Sequence, residues 1–196
     1  MKARITETIE FTREYFRNPV ESMRQLPEWE WSRLLFFYMT MAGACGLVSG
    51  IFSRHISQMI SGALVFPISS TVGAFLATGF LHYTFVFFFH REVAIKTLFT
   101  IVALALLPFL ALSIFSHWLP ALNALGFLVS GLLLVVGLSE HTKIRRESIF
   151  KLIAAIYVVY VGFWIYNTIH SRHERNAYIE MTSPEAIETL KKELEK

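Results

Sequence analysis

Charge is what this sequence has little of. Only 17% of its 196 residues are charged, against about a quarter in a typical soluble domain, and its mean hydropathy is +0.49. The charges gather in residues 1–33, in short interior patches and after Ile169, and they leave long apolar stretches between them. Each stretch has about the twenty residues that a helix needs to cross a hydrocarbon core of ~30 Å. The deficit therefore indicates a membrane protein.

Cysteine and metal-binding motifs are also scarce. The single cysteine, Cys45, excludes an intrachain disulfide and a cysteine-based metal cluster. His170, His173 and Glu174 could share one helical face, but a metal site usually needs a further ligand and supporting contacts. No HExxH segment is present. We expect neither a metal nor a cofactor.

Catalytic and nucleic-acid-binding signatures are missing as well. The chain has no GxSxG segment and no Walker loop, and the apolar stretches contain no acidic residue of the kind that intramembrane catalysis normally needs. The net charge of +3 is not arranged as a basic stripe interleaved with aromatic residues, so we expect no nucleic-acid partner. The first 33 residues are charged and the first apolar run is long, which predicts an uncleaved, anchored, non-enzymatic protein.

What is present predicts an all-α fold, a polytopic bundle of five transmembrane helices within residues 34–169. The spans are expected at residues 34–52, 67–89, 95–115, 120–138 and 149–169. Residues 53–66 are less apolar and are interpreted as an outer loop or turn, after which Pro67 opens the second span. Pro108 lies inside the third span and cannot donate to the carbonyl of Leu104, which predicts a kink.

Small residues recur every four positions in two spans. Ala42, Gly46 and Gly50 form one row in the first span. Such a row lets another helix approach closely, either within the chain or across a homodimer seam. The second span has two rows, Ser69–Gly73–Ala77 and Ser70–Ala74–Thr78, which predict that it is the central helix.

The N-terminal region, residues 1–33, is expected to form cytoplasmic amphipathic helices. Ile5, Ile9, Thr12 and Phe16 have helical spacing within residues 3–17. Asn18-Pro19-Val20-Glu21 resembles a capping box that opens a second helix to about Leu26, and Trp29 and Trp31 suit an interfacial aromatic belt. These helices pack on the membrane face of the bundle or form a docking surface for a protein partner. Residues 170–196 are interpreted as a polar helical tail, with a capped start at Thr182.

The basic residues predict the orientation. Arg91, Lys96, Lys143, Arg145, Arg146 and Lys151 fall in connections on one side of the predicted membrane, and Arg54 falls in a connection on the other. Cytoplasmic connections are the more basic ones. The sequence therefore predicts a cell inner-membrane protein with a cytoplasmic N-terminus and an outer C-terminus.

Several segments resemble the Yip domain family, membrane proteins first named for interaction with Ypt/Rab GTPases. The resemblance rests on three features: a polar break between spans, a span that contains proline, and a span that ends near a glycine and is followed by a basic loop. Asn18-Pro19, Met23 and Leu26 ahead of the first span also resemble the family. In all, the resemblance covers most of residues 18–168. The segments are His90-Arg91-Glu92, Lys96-Thr97-Leu98-Phe99, Ala103-Leu104-Ala105-Leu106-Leu107-Pro108 and Gly137-Leu138-Ser139-Glu140-His141. Family membership implies five spans, a cytoplasmic N-terminus and a role in membrane organisation or traffic through partners. The short N-terminal region and the absence of an Asp-Leu-Tyr-Gly-Pro segment resemble bacterial members, so Rab binding is not carried over.

Two groups of residues are candidates for function. Polar groups inside spans are His82, Ser70, Thr78 and Asn123, where an ionisable or polar side chain is either functional or satisfied by a neighbouring helix. Lys143, Arg145 and Arg146 either set the topology or contact lipid headgroups or a partner. We therefore expect a scaffold that binds lipids and a protein partner, with the N-terminal region as a contact surface and a homo-oligomer as an open alternative. The competing hypothesis is a small transporter or channel along the second span.

Overall fold

The computed structural model describes residues 2–52, 56–116, 118–119 and 121–181, with side chains described from Thr6 to Asn167 in those ranges. All regular structure in these residues is helical. Within them, five helical stretches are long and apolar enough to cross a membrane: Trp31–Phe52, Ile56–Phe89, Ile95–Ser113, Ala121–Thr142 and Arg146–Asn167. The predicted fold class is therefore confirmed.

Nine α-helices and one π-helical turn make up the described residues. They are α1 (Lys2–Arg17), α2 (Pro19–Arg24), α3 (Trp31–Phe52), α4 (Ile56–Ile60), a π turn (Ser61–Val65), α5 (Phe66–Phe89), α6 (Ile95–Ala105), α7 (Leu107–Ser113), α8 (Ala121–Thr142) and α9 (Arg146–Met181). The chain forms two compact units, Met1–Ala154 and Ala155–Lys196. The second unit contains the later part of α9, where the rings of Tyr157 and Tyr160 lie 6.4 Å apart. The helix predicted from Thr182 lies outside the described residues.

The second span begins earlier than predicted. Residues 56–66, interpreted from the sequence as loop or turn, are helical and continue through the π turn into α5; this interpretation was wrong, and residues 53–55 lie outside the described part. Within the π turn, Phe66 donates its backbone N–H to the carbonyl of Ser61. Pro67 follows and has no N–H for an α-helical bond, so the wider turn occurs where the regular ladder is interrupted.

The central helix is α6, and not the second span as predicted. Every residue from Leu98 to Ala105 is buried, because α6 contacts α2, α3, α5 and α8. In a membrane bundle, the helix that other helices cover on all sides is the central one. By contrast, Gly73 and Ala77 of α5 are exposed, and a Cβ on Gly73 would have no neighbour within 4 Å among the residues described.

Pro108 breaks the third span, as predicted. The helix ends at Ala105 and resumes as α7 at Leu107. The carbonyl of Leu104, which Pro108 cannot serve, instead accepts a hydrogen bond from the Tyr15 hydroxyl at 2.7 Å. The backbone N–H of Phe109 donates to Ser130 Oγ of α8 at 3.2 Å. Both bonds supply partners for backbone groups at the break, which buried backbone requires.

The first N-terminal helix forms, but a different face of it is buried. Tyr15 is fully buried and Phe11 is half-buried, whereas Ile9 and Phe16 of the predicted apolar face are exposed. The buried aromatic side chains meet aromatic partners: Phe11 packs edge-on against Trp29 and Phe37, with centroids 4.9 and 6.3 Å away. Ile9 and Phe16 are therefore not part of the face that packs on the bundle.

Two further N-terminal predictions were wrong in detail. Asn18 precedes α2 without a side-chain capping bond, and Glu21 accepts a bond from the Gln25 side chain at 2.8 Å rather than reaching back. Trp29 is 5% exposed and lies under the guanidinium of Arg33, 4.7 Å from the ring centroid. It is therefore a core residue held by aromatic and cation–π contacts rather than a belt residue.

Candidate functional site

A polar cavity of about 450 Å³ lies at one end of the first unit. Its lining comes from the ends of α3 and α7, from the segments that follow them, and from the beginnings of α5 and α8. The topology prediction places this end of the first unit outside the cytoplasm. The polar side chains among its lining residues are Ser49, Gln58, Ser61, Ser69, Ser113, Ser116 and Asn123. Its size falls in the range of about 300–1,000 Å³ typical of small-molecule sites. Of the predicted candidates, Asn123 alone lines this cavity.

The hydrogen bonds of the lining make it rich in acceptors. Ser69 donates to the carbonyl of Phe66 at 3.0 Å, Ser113 to Leu110 at 2.7 Å and Ser116 to Ser113 at 2.7 Å. Because a hydroxyl has one proton, each of these oxygens keeps only lone pairs for another group. Asn123 Oδ1 is buried and has no hydrogen-bond partner among the described residues. Among those residues the cavity lining contains no charged side chain.

Two glycines form the closest packing beside the cavity. A Cβ placed on Gly46 would overlap the carbonyl of Gly62, and one on Gly62 would overlap the carbonyl of Gly46. Gly50 is similarly close to Met59 Cα, at 2.6 Å from a built Cβ. The Ala42–Gly46–Gly50 row is thus used for packing within the chain, which is the first of the two interpretations that the sequence allowed.

The candidates on the second span are not gathered into one site. Ser70 donates to the carbonyl of Pro67 at 3.1 Å, and the buried Thr78 donates to that of Ala74 at 2.8 Å. His82 lies one turn beyond Thr78; its Nδ1 is buried and has no partner among the described residues, and Tyr83 offers only a ring contact with centroids 5.8 Å apart. These side chains lie along α5, and none of them lines the polar cavity.

Lys143, Arg145 and Arg146 are exposed at the connection between α8 and α9. Lys143 has a left-handed backbone, with φ at 54°, and it follows the last residue of α8. Within the described residues, none of these three side chains forms an ion pair. Their charges are therefore available to an anionic group. No cluster of three metal-ligating side chains occurs in the part described, and the side chains of His170, His173 and Glu174 lie outside it.

Helix α1 packs on the bundle through Tyr15, and its charged face stays exposed. Glu10, Arg13, Glu14 and Arg17 are exposed, whereas Tyr15 between them is buried and bonded to Leu104. Burial raises the pKa of the Tyr15 phenol far above its ordinary value, because the phenolate would lose its hydration. The hydroxyl therefore remains a donor at physiological pH.

The N-terminal helices are also anchored through α2. Met23 is fully buried, its carbonyl lies 3.1 Å from His141 Nε2, and its methyl group touches the site of Gly137, 2.5 Å from a built Cβ. Glu7 pairs with Arg33 of α3 at 3.1 Å. The charged face of α1 is thus presented by a fixed scaffold.

Sequence reasoning missed most of the cavity lining. Ser49, Ser113 and Ser116 were not singled out, and Ser69 was noted for its size and as a polar residue of the alternative transport path along the second span. A signal for them existed: once the spans are placed in alternating directions, Ser49, Ser69, Ser113 and Asn123 all fall near the same end of their spans. Grouping polar residues by depth would have brought them together.

The comparisons with known proteins give one match. A family model described as the Yip1 domain matches residues 13–166, which begins inside α1 and includes most of the span-forming part of α9. No curated protein and no solved structure matches the chain. The match covers more than half of the chain and includes the α1 residues from Arg13 onward.

Proposed function

The chain belongs to the Yip1 domain family, and from that premise we propose that it is a bacterial-type scaffold that binds a protein partner and membrane lipids. The family is linked to membrane trafficking and its members are multi-pass membrane proteins. Members are generally non-enzymatic, which agrees with the absence of catalytic motifs in this sequence. The partner surface in this proposal is the charged face of α1.

The observation that carries the proposal is the contact between Tyr15 and the third span, from which we infer the depth of this face in the membrane. Tyr15 meets Leu104, nine residues after the first residue of α6, or about 14 Å along the helix axis at ~1.5 Å per residue. Glu14 flanks Tyr15 and is exposed. Charged side chains at such a depth are costly against lipid, so a covering protein surface would stabilise them. Because Glu10, Arg13, Glu14 and Arg17 alternate in sign, the cover should carry complementary charges of both signs.

Charge reversal tests the partner surface without removing the anchored helices. Deleting residues 1–26 would leave the Leu104 carbonyl and the contact at Gly137 uncovered, so truncation would confuse binding with folding. We expect Arg13→Glu combined with Arg17→Glu to abolish recovery of a protein crosslinked to the parent in intact membranes. The matched control is Glu28→Lys with Glu30→Lys, which reverses two exposed charges between α2 and α3 and leaves the basic connection at 90–96 unchanged. Equal recovery by the α1 variant and the parent would refute the partner surface.

Lys143, Arg145 and Arg146 supply the lipid contact in this proposal. A basic side chain near an anionic membrane surface contributes about 1 kcal/mol. Each single change to Gln should therefore weaken retention of anionic lipid by roughly fivefold, measured by native mass spectrometry of the purified protein. Lys151→Gln is the control, because Lys151 is already paired with Glu147 at 2.7 Å. If all three variants retain anionic lipid as well as the parent, these basic residues have a topological role only.

The orientation belongs to the same proposal. We infer a multi-pass inner-membrane protein with the N-terminus in the cytoplasm, supported by the basic connections at 90–96 and 143–146. Reporter fusions ahead of residue 1 and after residue 196 should be active on opposite sides of the membrane. Activity of both on one side would require an even number of spans and contradict the arrangement.

A transport path along the second span receives less support. Thr71 and Thr78 donate to carbonyls of their own helix and are buried, so they do not line an open route. A liposome flux assay that compares His82→Ala with the parent tests the alternative. Flux in the parent that is lost in the variant would favour transport over scaffolding.

A further inference from the structure

We propose that the polar cavity binds the headgroup of a zwitterionic lipid through its primary ammonium, as in phosphatidylethanolamine. The cavity is independent of the α1 surface, since none of its lining residues belongs to α1 or α2. Three properties of the cavity identify the ligand: the hydrogen-bonding capacity of its lining, the charge of its lining and its position between the span ends.

The hydrogen-bond capacity requires a donor. Ser69 and Ser113 have each given their proton to a carbonyl of their own helix, and Ser116, in the turn after α7, has given its proton to the carbonyl of Ser113. Asn123 Oδ1 is buried without a described partner. Three serine oxygens therefore offer lone pairs to the cavity, and Asn123, whose Oδ1 is covered, lines the same wall. A primary ammonium has three N–H groups and no acceptor, which complements this wall. A quaternary ammonium has no N–H group and cannot satisfy it.

The charge balance favours a zwitterion over a free cation. The described lining has no carboxylate, so an isolated cation would lose its hydration without a counter-charge, which is expensive. In a zwitterionic lipid the phosphate travels with the ammonium and supplies that charge. Gln58 is exposed and lines the same cavity, and its amide N–H groups can donate to phosphate oxygens.

The position favours a lipid over a soluble amine. The cavity lies between span ends, and α5 beside it presents exposed apolar side chains, with Val65 at 59% and Ile68 at 57% exposed. Acyl chains can follow this surface while the headgroup occupies the cavity. A free amine would gain nothing from it.

The test compares headgroups with identical acyl chains. Purified protein in detergent is titrated with phosphatidylethanolamine and with phosphatidylcholine, and bound lipid is counted by native mass spectrometry. We expect the parent to bind the ethanolamine lipid about tenfold more tightly, the effect of one or two hydrogen bonds to a charged group. Asn123→Leu should reduce that preference to about twofold. Asn167→Leu, which removes the same amide from α9 and lies outside the cavity, should preserve it.

Further arms separate the other outcomes. Ser113→Ala provides a second cavity variant if Asn123→Leu does not fold, and it should lower the preference about threefold. Soluble phosphoethanolamine and ammonium chloride are added as competitors; displacement by ammonium chloride without any preference between the two lipids would overturn the lipid assignment. Equal binding of both lipids by the parent, or a preference unchanged in both cavity variants, would overturn the ammonium site.

Discussion

Replacement of Tyr15 by Phe should weaken the attachment of α1 by an amount that depends on Pro108. The Tyr15 hydroxyl is the donor that reaches the Leu104 carbonyl, at 2.7 Å, and both residues are fully buried. Removing the donor leaves the buried Leu104 carbonyl with only the backbone N–H of Leu106 as a partner, a loss of about 1–2 kcal/mol. Hydrogen bonds between membrane helices measure nearer 0.6 kcal/mol on average. We therefore expect Tyr15→Phe to lower the free energy of unfolding by about 1–2 kcal/mol.

The same change should cost less when residue 108 can donate. Pro108→Ala restores a backbone N–H four residues after Leu104, which can form the ordinary helical bond. In that background Tyr15→Phe should cost less than about 0.5 kcal/mol, so a double-mutant cycle should show a coupling of about 1 kcal/mol. Tyr38→Phe is the control, because the Tyr38 hydroxyl lies 3.5 Å from the Ser70 carbonyl, too far for a strong bond.

The single thiol provides the assay. Cys45 is buried in α3, so its reaction with a fluorescent maleimide reports unfolding in detergent–SDS mixtures without an added label site. The linear dependence of the unfolding free energy on denaturant then gives the four corners of the cycle. An equal cost of Tyr15→Phe with Pro108 and with Ala at that position would show that the hydroxyl does not compensate for the proline, and the account of the break would be wrong.

Two further predictions concern close packing and pH. Gly62→Ala places a methyl group into the Gly46 carbonyl and should lower the free energy of unfolding by roughly several kcal/mol or prevent folding. Gly73→Ala is the control, because its methyl group would meet nothing within 4 Å, and it should change stability by less than about 0.5 kcal/mol. Equal effects of the two variants in the Cys45 assay would contradict the packing described. Since the pKa of Tyr15 is raised in the folded state, the stability that the neutral phenol contributes is complete below the unfolded value of 10.0 and is lost as pH rises above it. Tyr15→Phe should therefore flatten the decline in stability between about pH 10 and 11, and an unchanged decline would refute this assignment.

The spans were predictable because the signal is local. Twenty apolar residues without charge have few stable alternatives to a membrane helix, and a proline removes one known hydrogen bond wherever it lies in a helix. The row of Ala42, Gly46 and Gly50 was recognisable for the same reason. Each of these predictions depends on residues within a few turns of one another.

The errors arose where two surfaces compete. The first helix has one apolar face with Ile9 and Phe16 and an adjacent apolar face with Phe11 and Tyr15. Periodicity cannot decide which one faces protein and which one faces lipid, because both environments are apolar. The same ambiguity made α5 look central on account of its small residues, although small residues are equally stable facing lipid.

The cavity was the least predictable feature because it depends on tertiary pairing. The sequence identifies Asn123 as a polar residue within a span, but it does not show that Ser69 and Ser113 come from other helices to meet it. Nor does it show that serine hydroxyls have given their protons to their own helices. That arrangement requires the helix directions, the π turn and the break at Pro108 together.

The bond between Tyr15 and Leu104 joins residues 89 positions apart, and this separation constrains the order of assembly during synthesis. Tyr15 leaves the ribosome long before its acceptor exists, and Met23 waits longer still for Gly137 in α8. Until those spans have entered the bilayer, α1 can pack only on the first span, through Phe11 and Phe37. The docking of the two leading helices is therefore completed only after the fourth span is in place.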